Sequence, residues 1–148
     1  MIRQKHSVSV IPVNRRGEIL LQQRDHKPGI PYPGLWTMFG GAVEDDDADF
    51  ETAIHREIRE ELGLDFPVEH WLDYVCSVRS IPGELDFIVH VYTGELDRPL
   101  ESLTLYEGQA MGWFDTGGVE ALEFAFAKKP MVLKFLRERI AQQGKESL

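Results

Sequence analysis

The chain has 148 residues, 43% of them hydrophobic, with eight Phe, four Tyr and three Trp. That composition predicts a single domain, 1–148, with a sizeable core, and excludes a disordered chain. A formal net charge of -9 and a pI near 5.0 disfavour a grip on a nucleic-acid backbone, which needs clustered Lys and Arg.

In chain order, His6 to Val13 (HSVSVIPV) opens with the alternation of a half-buried strand, and Asn14-Arg15-Arg16-Gly17 reads as a turn. Glu18 to Arg24 (EILLQQR) is a second strand, the hairpin partner of the first. Asp25 to Gly34 (DHKPGIPYPG) carries three prolines and two glycines, which exclude regular structure and predict a semi-rigid loop. Leu35 to Gly41 (LWTMFGG) is a short strand ending in a glycine pair, and Val43 to Asp49 (VEDDDAD) is an acidic turn. A helix follows from about Asp49 to Leu62, capped by Asp46, Asp47 or Asp49 and terminated by Gly63.

Trp71 to Arg79 (WLDYVCSVR) and Leu85 to Gly94 (LDFIVHVYTG) are strands joined through Ile81-Pro82-Gly83, and Ala110 to Phe114 (AMGWF) is a further short strand. A short helix starts at Val119 to Leu122, Met131 to Ile140 has helical spacing, and Gln142 to Leu148 is a frayed polar tail. The order predicts an α/β protein: a mixed sheet packed by helices as an α/β/α sandwich. Cys76 is the one cysteine, so no intrachain disulfide forms, and it reads as structural. The N-terminus MIRQKHSVSV does not read as a leader, and no apolar run approaches the ~18 residues of a membrane span. The expectation is a cytoplasmic protein with no membrane partner. The five histidines show no metal-ligand spacing.

The helix poses a charge problem. Its segment REIREELGL, Arg56 to Leu64, holds Glu57, Glu60 and Glu61 within five residues. With Phe50 at zero and ~100° per residue, Ile54, Ile58 and Leu62 form an apolar stripe at roughly 40° to 120°. Glu57 and Glu61 border that stripe, one turn apart, while Glu60 and Arg56 lie further round. Partly buried carboxylates need a partner. Arg56 is spaced to meet Glu60, which leaves Glu57 and Glu61 short of positive charge. A divalent cation would convert their repulsion into ligation, and carboxylate oxygens suit Mg²⁺ or Mn²⁺. An acidic chain binds phosphates where a metal ion supplies the charge.

The segment Gly40 to Leu64, GGAVEDDDADFETAIHREIREELGL, resembles the Nudix box: a glycine, five residues, a glutamate, seven residues, then Arg-Glu-hydrophobic-x-Glu-Glu-x-Gly-hydrophobic. The second half matches at Arg56, Glu57, Ile58, Glu60, Glu61, Gly63 and Leu64. The first half departs: after Gly41 and five intervening residues stands Asp47 rather than Glu, and the spacing to Arg56 is one residue longer.

The resemblance implies the Nudix α/β/α sandwich over nearly the whole chain. It makes Glu57 and Glu61 ligands of Mg²⁺, with Mn²⁺ a substitute. Glu60 would contribute directly or through water, the Gly40 carbonyl would be a further ligand, and Arg56 would orient the carboxylates. Arg24 resembles the arginine that meets a substrate phosphate, with a strand-end surface charge as the alternative. Glu107, in YEGQAMGWF, resembles the distal glutamate that acts as general base or extra ligand; Glu60 and Glu61 share the catalytic set with it and Arg56. Glu44 would touch substrate or metal, or favour the helix start. Tyr32 and Trp36 flank the proline-rich loop, where a ring stacks on a base or packs in the core. Phe114, Phe124 and Phe126 read as core.

The implied reaction is Mg²⁺-dependent hydrolysis of a nucleoside diphosphate linked to a moiety X, with a lean towards a nucleoside triphosphate giving NMP and pyrophosphate. The alternatives are an ADP-ribose or nucleotide-sugar pyrophosphatase, and a non-catalytic nucleotide-binding module. The expected partner is a small-molecule nucleotide rather than a nucleic-acid polymer, with a homodimer left open.

Overall fold

The computed structural model describes residues 3–80, 83–126 and 128–146. Strand β1 (Arg3–Val13) is the spine of a seven-stranded sheet. Side chains alternate across a strand, so Val8 and Val10 enter one core while Ile11 and Val13 enter another. β2 (Ile19–Gln23) repeats the device, with Leu20 in the first core and Ile19 and Leu21 in the second.

The turn between them is built by Asn14, whose Oδ1 accepts from the N–H groups of Arg16 and Glu18, with Gly17 at φ 79°. The expected hairpin forms at Val13↔Ile19, and β2 then leaves β1. The stretch Leu35–Gly41 is two strands rather than one. β3 (Trp36–Thr37) pairs with β2, whereas β4 (Phe39–Ala42) pairs antiparallel with Ser7–Val10 of β1.

Across β1, β6 (Gly83–Glu95) runs parallel from Arg3↔Leu85 to Val13↔Glu95, and β5 (Glu69–Ser80) pairs antiparallel with β6. β7 (Ala110–Phe114) closes on β2. The sheet is therefore mixed, as expected. Ile81 and Pro82 of the predicted connection lie outside the described residues.

Helix α1 (Phe50–Leu62) lays Ala53, Ile54, Ile58 and Leu62 on Val8, Val10 and Phe39. Asp49 is its cap, accepting from Thr52 N–H at 2.7 Å, and Gly63 ends it at φ 66°. On the opposite face lie α2 (Thr116–Ala121) and α3 (Lys129–Glu146), whose Val119, Val132, Phe135 and Leu136 meet Ile11, Val89 and Val91. α2 starts before Val119 because Asp115 caps it through Gly118 N–H. α3 continues past Ile140 through residues expected as a tail. The result is an α/β/α sandwich. No helix among the described residues is long and apolar enough to cross a membrane.

Candidate active site

The apolar stripe of α1 seats the helix so that its bordering carboxylates are carried inward. Glu57 and Glu61 are only 8% and 2% exposed, further buried than a stripe-edge position suggests. What admits them is the glycine pair of β4. A Cβ on Gly41 would stand 2.6 Å from Glu57 Oε1, so only a glycine leaves room for that carboxylate. Gly40 adopts φ 145°, and its N–H donates to Glu61 Oε2 at 3.1 Å. Gln22 of β2 donates to the same oxygen at 3.3 Å.

Arg56 is the hub of the acidic turn. It donates to both carboxylate oxygens of Asp47 at 2.9 Å, to Glu57 Oε1 at 2.9 Å, to Glu60 Oε2 at 3.2 Å and to the Ala42 carbonyl at 3.1 Å. Bidentate pairing of this kind fixes orientation as well as charge. These bonds raise the Arg56 pKa and hold Asp47 below the usual carboxylate range. The one-residue insertion in the acidic turn is thereby accounted for: Asp47, folded back by Asp47 N–H→Glu44 O and Glu44 N–H→Asp47 Oδ2, reaches Arg56 from the turn.

Burial raises Glu57 above the usual range, opposed by Arg56 and assisted by the charges of Glu60 and Glu107. Glu61 is pushed up to about 9, first by burial and then by the negative charges of Glu57 and Glu107. Among the described residues neither Lys nor Arg forms an ion pair with Glu61. The donors are all oxygens, and their negative charge exceeds what the surrounding cations offset. Such a set fits a hard divalent cation.

Glu107 comes from the loop before β7. Tyr106 N–H donates to the Glu61 carbonyl at 2.8 Å and Gln109 N–H to the Gln23 carbonyl at 3.0 Å, so the loop is tied to the end of α1 and to β2. Glu107 and Glu61 line one cavity of about 770 Å³, together with Gly40, Gly41 and Arg24. Arg24 donates from Nε to Pro31 O, and its guanidinium lies 5.1 Å from the centre of the Phe126 ring. Glu60 and Glu44 are exposed and do not line the cavity, with Glu44 3.6 Å from Arg56.

The two aromatic candidates stand elsewhere. Trp36 packs edge-on against Phe114 in the second core and does not line the cavity. Tyr32 reaches the cavity only through Phe126, whose ring it meets at 4.6 Å. Phe114 and Phe124 pack against the second core as expected, but Phe126 lines the cavity, and so does Cys76, whose Sγ donates to Phe126 O.

Lys128 and Thr37 also face the cavity and carried no sequence signal. Burial pushes the Lys128 pKa down to about 8, and no hydrogen bond to its ammonium forms among the described residues. Thr37 Oγ1 is buried without a hydrogen-bond partner. The half-buried Lys128 ammonium lies 5.3 Å from the centre of the Phe126 ring, and a buried, unpartnered hydroxyl on a cavity wall is a group a ligand would satisfy. Lys128 sits at the end of a turn next to a helix, where a lone lysine is ordinary, so only the fold exposes its position.

The family model described as NUDIX domain matches residues 3–135. The chain is 33% identical to the CTP pyrophosphohydrolase of Escherichia coli (strain K12) over 133 residues, covering 88% of this chain and 90% of the relative. It is 36% identical over 118 residues to an RNA pyrophosphohydrolase of Gluconacetobacter diazotrophicus, covering 74% and 60%. In fold it matches the NUDIX domain of Shewanella oneidensis NrtR complexed with ADP ribose, with a TM-score of 0.71 at 20% identity, covering 93% and 88%.

Proposed function

This chain belongs to the NUDIX family and is a Nudix hydrolase of nucleoside diphosphate derivatives; from that premise we propose a Mg²⁺-dependent pyrophosphohydrolase that converts a nucleoside triphosphate, CTP first, to NMP and pyrophosphate. The observation that carries the proposal is the buried Glu57–Glu61 pair, of which Glu61 lines, with Glu107, a cavity that also presents Arg24 and Lys128. The name of the Escherichia coli relative supports a triphosphate substrate. The net charge of -9 supports a free nucleotide over an RNA end.

Glu57 and Glu61 would hold Mg²⁺, with Glu60 and the Gly40 carbonyl contributing. When bound there, the ion would polarise a phosphoryl oxygen and offset diphosphate charge. The protein's own groups do the rest. Arg56 opposes the rise that burial imposes on Glu57 and aims its carboxylate. Arg24 pairs with a substrate phosphate. Glu107 accepts the proton of the attacking water, whose oxygen forms a new bond to phosphorus as the α–β anhydride bond breaks. Lys128 and Thr37 recognise polar edges of the nucleoside. The intact set of Glu57, Glu60 and Glu61, short of positive charge, favours a metal-dependent catalyst over a binding-only module.

The test is an assay of NMP and pyrophosphate release from each ribonucleoside and deoxyribonucleoside triphosphate, and of phosphate-ester release from ADP-ribose and nucleotide sugars, with Mg²⁺ or chelator. Pyrophosphate from CTP with Mg²⁺ alone is expected, and Glu57→Gln and Glu61→Gln each reduce turnover at least about a hundredfold while folding normally. Turnover of ADP-ribose in preference to every triphosphate would replace the substrate assignment. Near-normal activity in either variant would overturn the site.

A further inference from the structure

A second set of metal-type donors lies away from the cavity, on the α1-facing side of β5, β6 and β1. In β5, His70 and Asp73 are three residues apart, a spacing that points side chains to opposite faces of a regular strand. Here they share a face. The register between β5 and β6 slips between His70 and Leu72, so His70 opposes Tyr92 and Asp73 opposes His90. A bulge of this kind re-aims side chains. Trp71 and Leu72 both turn to the second core instead, Trp71 meeting the Phe135 ring at 4.9 Å.

The bulge brings three donors together. His70 Nε2 lies 2.6 Å and His90 Nδ1 2.9 Å from Asp73 Oδ1, and all three donor atoms fall within 4.8 Å of one another. His90 is 6% exposed and fixed from behind. Its Nε2 is 2.9 Å from His6 Nδ1, and the Phe50 ring stacks on it at 3.7 Å. His70 and Asp73 are about half exposed, so one side of the cluster is open to water. None of these residues lines the cavity.

We propose that His70, Asp73 and His90 form a Zn²⁺ site separate from the helix carboxylates. Two imidazoles and one carboxylate are the donors zinc favours over magnesium, and three protein ligands leave a fourth position for water. With Nδ1 of His90 on the ion, its Nε2–H donates to His6 Nδ1, the outer hydrogen bond that fixes a ligand histidine's tautomer. The site joins β5 to β6, and through His6 to β1, so its occupant acts as a staple across three strands.

The test uses the untagged full chain, stripped of metal and titrated with Zn²⁺ in excess Mg²⁺. One equivalent of Zn²⁺ per chain is expected, retained in Glu61→Gln and raising the melting temperature. Co²⁺ should give the visible absorption of a four-coordinate site. His70→Ala and Asp73→Asn, both at half-exposed positions that the fold tolerates, should each weaken Zn²⁺ binding at least about tenfold. Neither should change Mg²⁺-supported hydrolysis measured without zinc. Absence of a Zn²⁺ equivalent in the parent chain, or equal affinity in the parent and His70→Ala, would overturn the site. Neither result touches the hydrolase assignment, which is read from pyrophosphate release.

Discussion

Asp47 and Arg56 meet as a fork, Oδ1 to Nε and Oδ2 to Nη2, both at 2.9 Å. Through Arg56 the acidic turn is coupled to Glu57, so the turn sets the carboxylate buried against Gly41. Asp47→Ala leaves Arg56 bonded to Glu57 and the Ala42 carbonyl but without its two-pronged partner, and Glu44 and Glu60 are more exposed and longer-range substitutes. Activity or Mg²⁺ affinity should fall about ten- to a hundredfold, the range for outer partners of metal ligands. Arg56→Lys should also lose activity, because an ammonium cannot make the two-pronged bond. Steady-state kinetics across a Mg²⁺ titration checks both; an unaltered Asp47→Ala would show that Glu44 suffices.

The two glycines of β4 predict opposite failures. At Gly40 a Cβ would stand 2.0 Å from the Val8 carbonyl oxygen, a backbone atom of the central strand, and the φ of 145° already disfavours any side chain. Gly40→Ala should therefore destabilise or prevent folding. At Gly41 the obstacle is the end of the Glu57 side chain, which can swing aside. Gly41→Ala should keep its melting temperature within a few degrees but lose most turnover, because the displaced carboxylate no longer faces Glu61. Circular dichroism melts beside activity assays separate the two outcomes.

Much of this architecture was legible because its signals are local. The stripe of Ile54, Ile58 and Leu62 and the stop at Gly63 located α1, and the motif from Arg56 to Leu64 located the carboxylates. What escaped detection depends on pairing between distant segments. The burial of Glu57 requires Gly41 opposite it, and nothing in the helix reveals that partner. Lys128 and Phe126 enter the cavity because the segment before α3 pairs beside Trp36, through the bridge Trp36↔Phe124. His6, His70 and His90 are far apart in sequence and meet only because β1, β6 and β5 are neighbours and β5 bulges. Trp36, adjacent to the loop in sequence, points into the second core because β3 pairs with β2.

Glu61 links function to stability. Its carboxyl is raised from the ordinary 4.5 to about 9 in the metal-free protein. Below the ordinary value both folded and unfolded chains carry the proton. Between the two values the folded chain holds a proton that the unfolded chain has released, so stability declines as pH rises. Glu61→Gln removes that decline. In chelator, the parent chain should melt progressively lower from about pH 6 to about pH 8.5, and the variant should become the more stable by on the order of 2 kcal/mol. Mg²⁺ should restore the parent and leave the variant unchanged. Parallel melting curves for the two chains in chelator would show that Glu61 is ionised without metal.

Lys128 should leave its own mark on the pH profile. Burial holds its ammonium near a pKa of about 8, with the charge of Arg24 lowering it and Cys76 and Glu61 raising it. A base that is protonated below that value and neutral above it supports binding of a polar or anionic substrate edge only at the lower pH. The value of kcat/KM should therefore fall as pH climbs through about 8. Lys128→Arg should flatten that limb, because guanidinium stays charged throughout. Lys128→Met should raise KM roughly tenfold, the loss of one charge-assisted hydrogen bond of about 1.4 kcal/mol. Its kcat should change little, because the proposed contact of Lys128 is with the nucleoside and not with the reacting phosphorus. A Lys128→Met chain with lowered kcat and unchanged KM would place Lys128 in the chemical step instead.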